Sequence, residues 1–107
     1  MSMSEILLKI AIHNGIVVKR LSLNSKSKGL LKNNKIAISD KLNYQETNFT
    51  LAHELSHFIL HKGNTLNNSL HKEYEKQANE LAILLLKLDN IFYEILEDSS
   101  NLKSKYH

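Results

Sequence analysis

Phe49-Thr50-Leu51-Ala52-His53-Glu54-Leu55-Ser56-His57-Phe58-Ile59-Leu60-His61 is the stretch from which the rest of this chain is best read. On an α-helix, residues four apart share a face, so the imidazoles of His53 and His57 can reach one metal ion. Glu54, between them, is placed to hold a water at that ion and take its proton. Two histidines at this spacing can also be plain surface residues. Here Leu51, Ala52, Leu55, Phe58, Ile59 and Leu60 leave little of the helix that could sit in water. A half-buried face carrying two imidazoles and a carboxylate costs free energy unless those groups are satisfied, and a bound cation satisfies them.

Working outward, Asn43 with Glu46 three residues later forms an Asn version of the capping box, and Gly63 offers a stop after the motif. Upstream, a first helix is expected from Ser4, its N-cap, to about His13, ended by Asn14-Gly15. Residues 16–23 are β-branched at the start and alternate towards the end, which predicts a strand. Residues 24–28 form a polar connection. Gly29-Leu30-Leu31-Lys32 and Lys35-Ile36-Ala37-Ile38-Ser39 flank Asn33-Asn34, a pair that tolerates the positive φ of a tight hairpin. A small antiparallel sheet of three strands is the expectation. Downstream, residues 64–69 form a polar loop and Ser69 caps a helix over about residues 70–88. That helix is interrupted at Asp89-Asn90, a short helix follows over residues 91–96, and residues 98–107 form a frayed tail.

A catalytic zinc site takes three protein ligands and keeps one position open. The downstream candidates for the third are His61, His71, Glu73, Glu75, Glu80 and Asp89. Glu75 shares a helix face with Ala78, Asn79 and Ala82, whose small alanines permit close approach of the metal helix. Glu73 aligns with Lys76, Gln77 and Glu80 on the side that reads as solvated. Glu75 is the expected third ligand, with Asn79 one turn on as a hydrogen-bonding neighbour. His61 lies two turns beyond His53, roughly 12 Å along the axis, which suits a supporting or capping role better than ligation. His71, Tyr44, Tyr74 and Tyr93 are open candidates for stabilising an oxyanion, but the tyrosines read more readily as core, His71 reads equally well as exposed, and none is assigned a catalytic role. His13 and His107 read as surface residues.

Size and composition limit the alternatives. The 107 residues suffice for one domain with a modest core. With no cysteine, a metal must be held by His, Asp or Glu. No apolar run approaches the ~20 residues that span a bilayer, and residues 1–5 lack the charged start of a signal peptide, so the cytoplasm is the expected compartment. The net charge of +3 comes from scattered lysines, with Arg20 the single arginine. The nearest cluster, Lys26, Lys28, Lys32 and Lys35, reads as a solvated hairpin rather than a phosphate-binding stripe. Neither nucleic acid nor membrane is an expected partner.

The stretch quoted above resembles the ImmA/IrrE family of small metallopeptidases, which show F-T-L-A-H-E-L-G-H, a few apolar residues and a further His. Their second motif, E-x-[EQ]-A-N-x-[FL]-A, appears here as Glu75-Lys76-Gln77-Ala78-Asn79-Glu80-Leu81-Ala82. The resemblance spans roughly residues 5 to 88. It implies a small zincin-like α+β domain, here residues 1–97, with a short antiparallel sheet packed against the H-E-x-x-H helix and further helices. It also implies zinc ligands at His53, His57 and Glu75, with Glu54 as general base. The implied function is a bacterial or phage endopeptidase that cleaves or inactivates a helix-turn-helix repressor, expected on a separate polypeptide. The alternative from a different class is a metal-containing module that inactivates a partner by binding alone. Two departures stand out. Ser56 replaces the usual Gly, which bears on how closely the sheet approaches the helix. Leu84-Leu85-Leu86-Lys87 lacks the proline of the family's L-L-x-P, which would let the helix run on.

Overall fold

A computed structural model of the chain describes residues 3–24, 26–61 and 71–106. The elements run α1 (Glu5–His13), β1 (Val17–Leu21), β2 (Gly29–Lys32), β3 (Lys35–Ser39), α2 (Tyr44–His61) and α3 (His71–Tyr106). The result is a small α+β architecture, in which α1 and α2 pack against a three-stranded sheet and α3 packs on α2 and the end of α1. Ile36 and Ile38 of β3 meet Leu51, Ala52 and Leu55 of α2, with Leu7 and Ala11 of α1 and Ala82 of α3 completing the core.

Local chemistry explains most element boundaries. Ser4 caps α1 by accepting the Leu7 amide at 3.2 Å, and Gly15 ends the helix at φ +69°, a conformation that glycine adopts without steric cost. Asn33 takes φ +56° in the β2–β3 turn, as a tight hairpin requires. The capping box of α2 is reciprocal. Asn43 Oδ1 accepts the Glu46 amide at 2.8 Å, and Glu46 Oε1 accepts the Asn43 amide at 3.3 Å. The expected stop at Gly63, loop at 64–69 and cap at Ser69 lie outside the described residues.

The sheet differs from the expected antiparallel arrangement. Its strand order is β1-β3-β2. β2 and β3 form the antiparallel hairpin, but β1 pairs with β3 in parallel, Val18 opposite Ile36 and Arg20 opposite Ile38. The seven residues from Ser22 to Lys28 are long enough to carry the chain across β3 before β2 begins, so β1 and β2 occupy opposite edges. A local pattern of alternation carries no information about which neighbour a strand chooses.

A second correction concerns α3. The break expected at Asp89-Asn90 is absent, and residues 98–106, expected to fray, continue the same 36-residue helix. Asp and Asn are only mildly unfavourable inside a helix, by well under ~1 kcal/mol each. Asp89 also has a tertiary partner, since its Oδ1 accepts the Ser4 hydroxyl at 2.6 Å. Without the family's proline after Leu86, nothing in the backbone stops the helix.

Candidate metal centre

α2 is built to sink its middle into the protein. Thr47, Leu51, Ala52, Leu55 and Ser56 are buried, and His53, Glu54 and His57 emerge along the margin of that face, half-buried. Ser56, in place of the family's Gly, is fully buried, and its hydroxyl is satisfied within the helix by donating to the Ala52 carbonyl at 2.7 Å. The sheet comes close to α2 at another point. Gly29, the first residue of β2, lies so near α2 that a Cβ there would stand 2.5 Å from Thr50 Cγ2 and 3.6 Å from Glu54 Cγ. The missing side chain lets the strand edge come right up to the proposed general base.

α3 brings Glu75 to the two histidines. His53 Nε2 and His57 Nε2 are 3.1 Å apart. Glu75 Oε1 lies 2.9 Å from His57 Nε2, and Oε2 lies 3.4 Å from His53 Nε2. Among the described residues, these three form the group able to hold a metal ion. A small divalent ion bound tetrahedrally at about 2.1 Å separates its ligand atoms by roughly 3.4 Å, close to the spacings observed. Two imidazole nitrogens and a carboxylate gather within 4.8 Å of one another. A proton can serve only one of these contacts well, whereas a divalent cation serves all three.

Electrostatics supports that use. Burial holds the His57 pKa below its usual value despite the raising influence of Glu75, so its imidazole is neutral and its lone pair available near pH 7. Glu54 is shifted the other way. Burial raises its pKa above the usual carboxylate value, opposed by His53 and reinforced by the negative charge of Glu75. A carboxylate that holds a proton more readily than usual is suited to accept one and return it. The ring of Phe49 stacks over His53, with centroids 6.3 Å apart. His53 Nδ1 is buried and has no hydrogen-bond partner, so packing rather than a hydrogen bond orients that ring.

The remaining candidates separate clearly. His61 is buried and pairs through Nε2 with Gln77 Oε1 at 2.9 Å while stacking on Tyr74, centroids 4.1 Å apart. It is not a ligand. It clamps the end of α2 to the turn of α3 that carries Glu75. Asn79 lines the same cleft as Glu75, but no hydrogen bond joins them. Glu73 and Glu80 are exposed, and Asp89 is engaged with Ser4. Tyr44 and Tyr93 are exposed, Tyr74 packs on His61, and none of the three borders the clefts at the site. The side chain of His71 and all of His107 lie outside the described residues, and His13 is exposed. Two contributors escaped the sequence reading. Gly29 had only its place at a strand start as a signal. Gln77 is exposed, as its helix position predicts, but its bond to His61 had only its place at the [EQ] position of the second motif as a signal.

Two clefts meet at the site. One, of about 640 Å³, contains His53, Glu54, His57, Glu75 and Asn79, with Lys26 and Lys28 at its rim. The other, of about 850 Å³, is bordered by Leu30, Leu31, Phe58 and the Asn33-Asn34 turn. Gly29, Glu54 and His57 are common to both, so the centre opens in two directions. Among the described residues no helix is long and apolar enough to cross a membrane.

No curated protein and no solved structure matches the chain. The family model Peptidase_M78, described as the IrrE N-terminal-like domain, matches residues 12–104. That span takes in the whole sheet, both motifs and almost all of α3, and it points to a peptidase-type function. By the extent of this match and by the residues it covers, the chain belongs to the IrrE N-terminal-like domain family.

Proposed function

We propose that the protein is a zinc-dependent endopeptidase of bacterial or phage origin whose substrate is a helix-turn-helix repressor on a separate polypeptide. The observation that carries the reading is the convergence of His53, His57 and Glu75 beside Glu54, at the meeting point of two clefts. Two imidazoles and one carboxylate, with no thiolate available, match the donor set of catalytic zinc sites that retain an open position. When bound there, the metal supplies Lewis acidity, polarising the scissile carbonyl and lowering the pKa of water from near 16 towards ~7.

The chain's own residues do the rest. Glu54 takes the proton from the attacking water at its carboxylate and delivers it to the amide nitrogen, which cannot leave as an anion. Its raised pKa favours that return. His53, His57 and Glu75 keep their donor atoms fixed through the rigid packing of α2 on α3, so little reorganisation is needed as charge develops. Phe49 stacks on His53, and Phe58 lines the second cleft together with His57. Because the clefts extend both ways from Glu54, a chain can continue past the scissile bond in both directions, which favours internal over terminal cleavage. β2 is a sheet edge bordering both clefts, so its unpaired backbone groups can hold an extended segment in place. The repressor assignment rests on the resemblance of the two motifs.

The test is incubation of the zinc-loaded protein with the repressor encoded beside its gene, with products read by mass spectrometry. Wild type is expected to yield two fragments. Glu54→Gln is expected to retain about one zinc per chain and to yield none. Derepression by Glu54→Gln equal to that of wild type would instead identify inactivation by binding alone.

A further inference from the structure

We propose that the solvent face of α3 is a self-association seam through which two copies of this chain form an antiparallel dimer. α3 is 36 residues long, roughly 54 Å at 1.5 Å per residue, and its length accounts for most of the protein's longest dimension of 58 Å. Its inner face, Ala78, Ala82 and Leu85, packs on the core, and Asp89 makes a further tie to the body, at Ser4. On the other side of the helix stand Leu84, Leu88, Ile91 and Ile95, exposed by 60%, 40%, 52% and 53%. Their spacing of four, three and four residues is that of a heptad seam. Four large aliphatic side chains in line on one exposed face mark an association surface rather than scattered surface residues.

The charges beside the seam identify the occupant. Lys87 and Glu94 are exposed, lie seven residues apart and border the same side of the stripe. Around a two-fold axis passing between positions 89 and 90, an antiparallel copy sets Leu84 against Ile95 and Leu88 against Ile91, each pair occurring twice. The same operation sets Lys87 beside Glu94 of the second copy, again twice, so the surface is complementary to itself in shape and in charge. A parallel pairing satisfies neither charge, because the flanking positions five residues on are Phe92 for Lys87 and Ser99 for Glu94. One lysine and one glutamate flanking the stripe also fit a second copy better than an anionic membrane surface, which selects lysine-rich flanks. Glu75 and Asn79 leave α3 on a different side, towards α2, so both metal centres stay open in the dimer. This inference is independent of the peptidase reading.

Analytical ultracentrifugation of the full chain is expected to show a dimer that dissociates on dilution. Leu88→Glu with Ile91→Glu is expected to be monomeric throughout while keeping the wild-type helical circular-dichroism signal, which reports an intact body. Lys87→Glu should weaken association severalfold, and adding Glu94→Lys to it should restore it. Because the chain has no native cysteine, orientation can be read from oxidation. Leu84→Cys and Ile95→Cys proteins should crosslink to each other when mixed, and neither to itself, since antiparallel copies hold like positions too far apart for a disulfide. A wild type that stays monomeric, a dimer that survives the double Glu substitution, a charge swap without rescue, or self-crosslinking of Leu84→Cys would each overturn the proposal.

Discussion

Glu54 carries a conflict that a single substitution exposes. Its carboxylate is half-buried and close to Glu75, and its pKa lies above the usual value of 4.5. A carboxyl whose folded pKa is raised contributes its full stability below the unfolded pKa and loses it as pH rises towards the folded value. In protein stripped of metal, Glu54→Gln should therefore match wild type near pH 4 and become the more stable of the two as pH rises to about 7. Urea titrations across that range measure the gap, and a gap that is constant or reversed would contradict the burial assigned to this side chain. Gly29 offers a steric counterpart. Thr50 is β-branched and buried on a helix, so it has little freedom to swing away from an added methyl. Gly29→Ala should cost about 1–3 kcal/mol and slow cleavage by displacing β2 from Glu54. Thr50→Ser removes the clashing carbon, so the double variant should recover much of both losses, giving a coupling energy that a double-mutant cycle reads directly. The histidines and Glu54 were legible because the i, i+4 relation is local. The need for glycine at position 29 was not, because the atom it avoids is 21 residues away in the chain.

Among the elements, the helices are joined by a few polar side chains. Ser4 does three things at once. Its hydroxyl caps α1, the same hydroxyl donates to Asp89 of α3, and its backbone amide donates to Asn48 of α2 at 2.8 Å. Ser4→Ala removes a cap worth typically ~1 kcal/mol and the partner of a part-buried carboxylate, so a total loss of about 2 kcal/mol is expected by chemical denaturation. Ser4→Thr keeps a hydroxyl there and should recover most of it. At the other end of α2, Gln77→Leu leaves the buried His61 Nε2 without a partner. A destabilisation of roughly 1–3 kcal/mol is expected, together with weaker metal binding, because the clamp also sets the turn bearing Glu75. Zinc titration with a competing chelator separates the two effects. The caps of α1 and α2 and the β2–β3 hairpin turn were readable from short stretches of sequence, and those boundaries agree with the structure. The parallel pairing of β1 and the unbroken course of α3 through Asp89 depend on contacts between distant elements, about which local propensity is silent.

For the molecule as a whole, a metal ion held at the candidate centre would be a cross-link. Two of the three residues able to hold it come from α2 and one from α3, so an ion bound there would oppose separation of the two longest helices. Zinc at a hundredfold excess over its Kd should add about 2.7 kcal/mol of stability, a rise in Tm on the order of 10 °C or more for a domain of this size. Calorimetry with and without chelator checks this. His57→Ala and Glu75→Gln should abolish the shift, and retention of the full shift in either would remove that residue from the ligand set. The sequence alone determined the pair of histidines and the carboxylate between them, the capped helix that bears them, the hairpin, and a face of the following helix from which Glu75 could point inward. All of these follow from periodicities of two to four residues and from side chains bonding to their own backbone. Only the tertiary structure decided that Glu75 meets both imidazoles within hydrogen-bond distance and that β1 joins the far edge of the sheet. It alone decided that Gly29 brings β2 against Glu54, and that Ser4 and Gln77 pin the helices in register. Those outcomes depend on how whole elements pack, and packing is settled by volume and partner choice across the entire core rather than by any one stretch of chain.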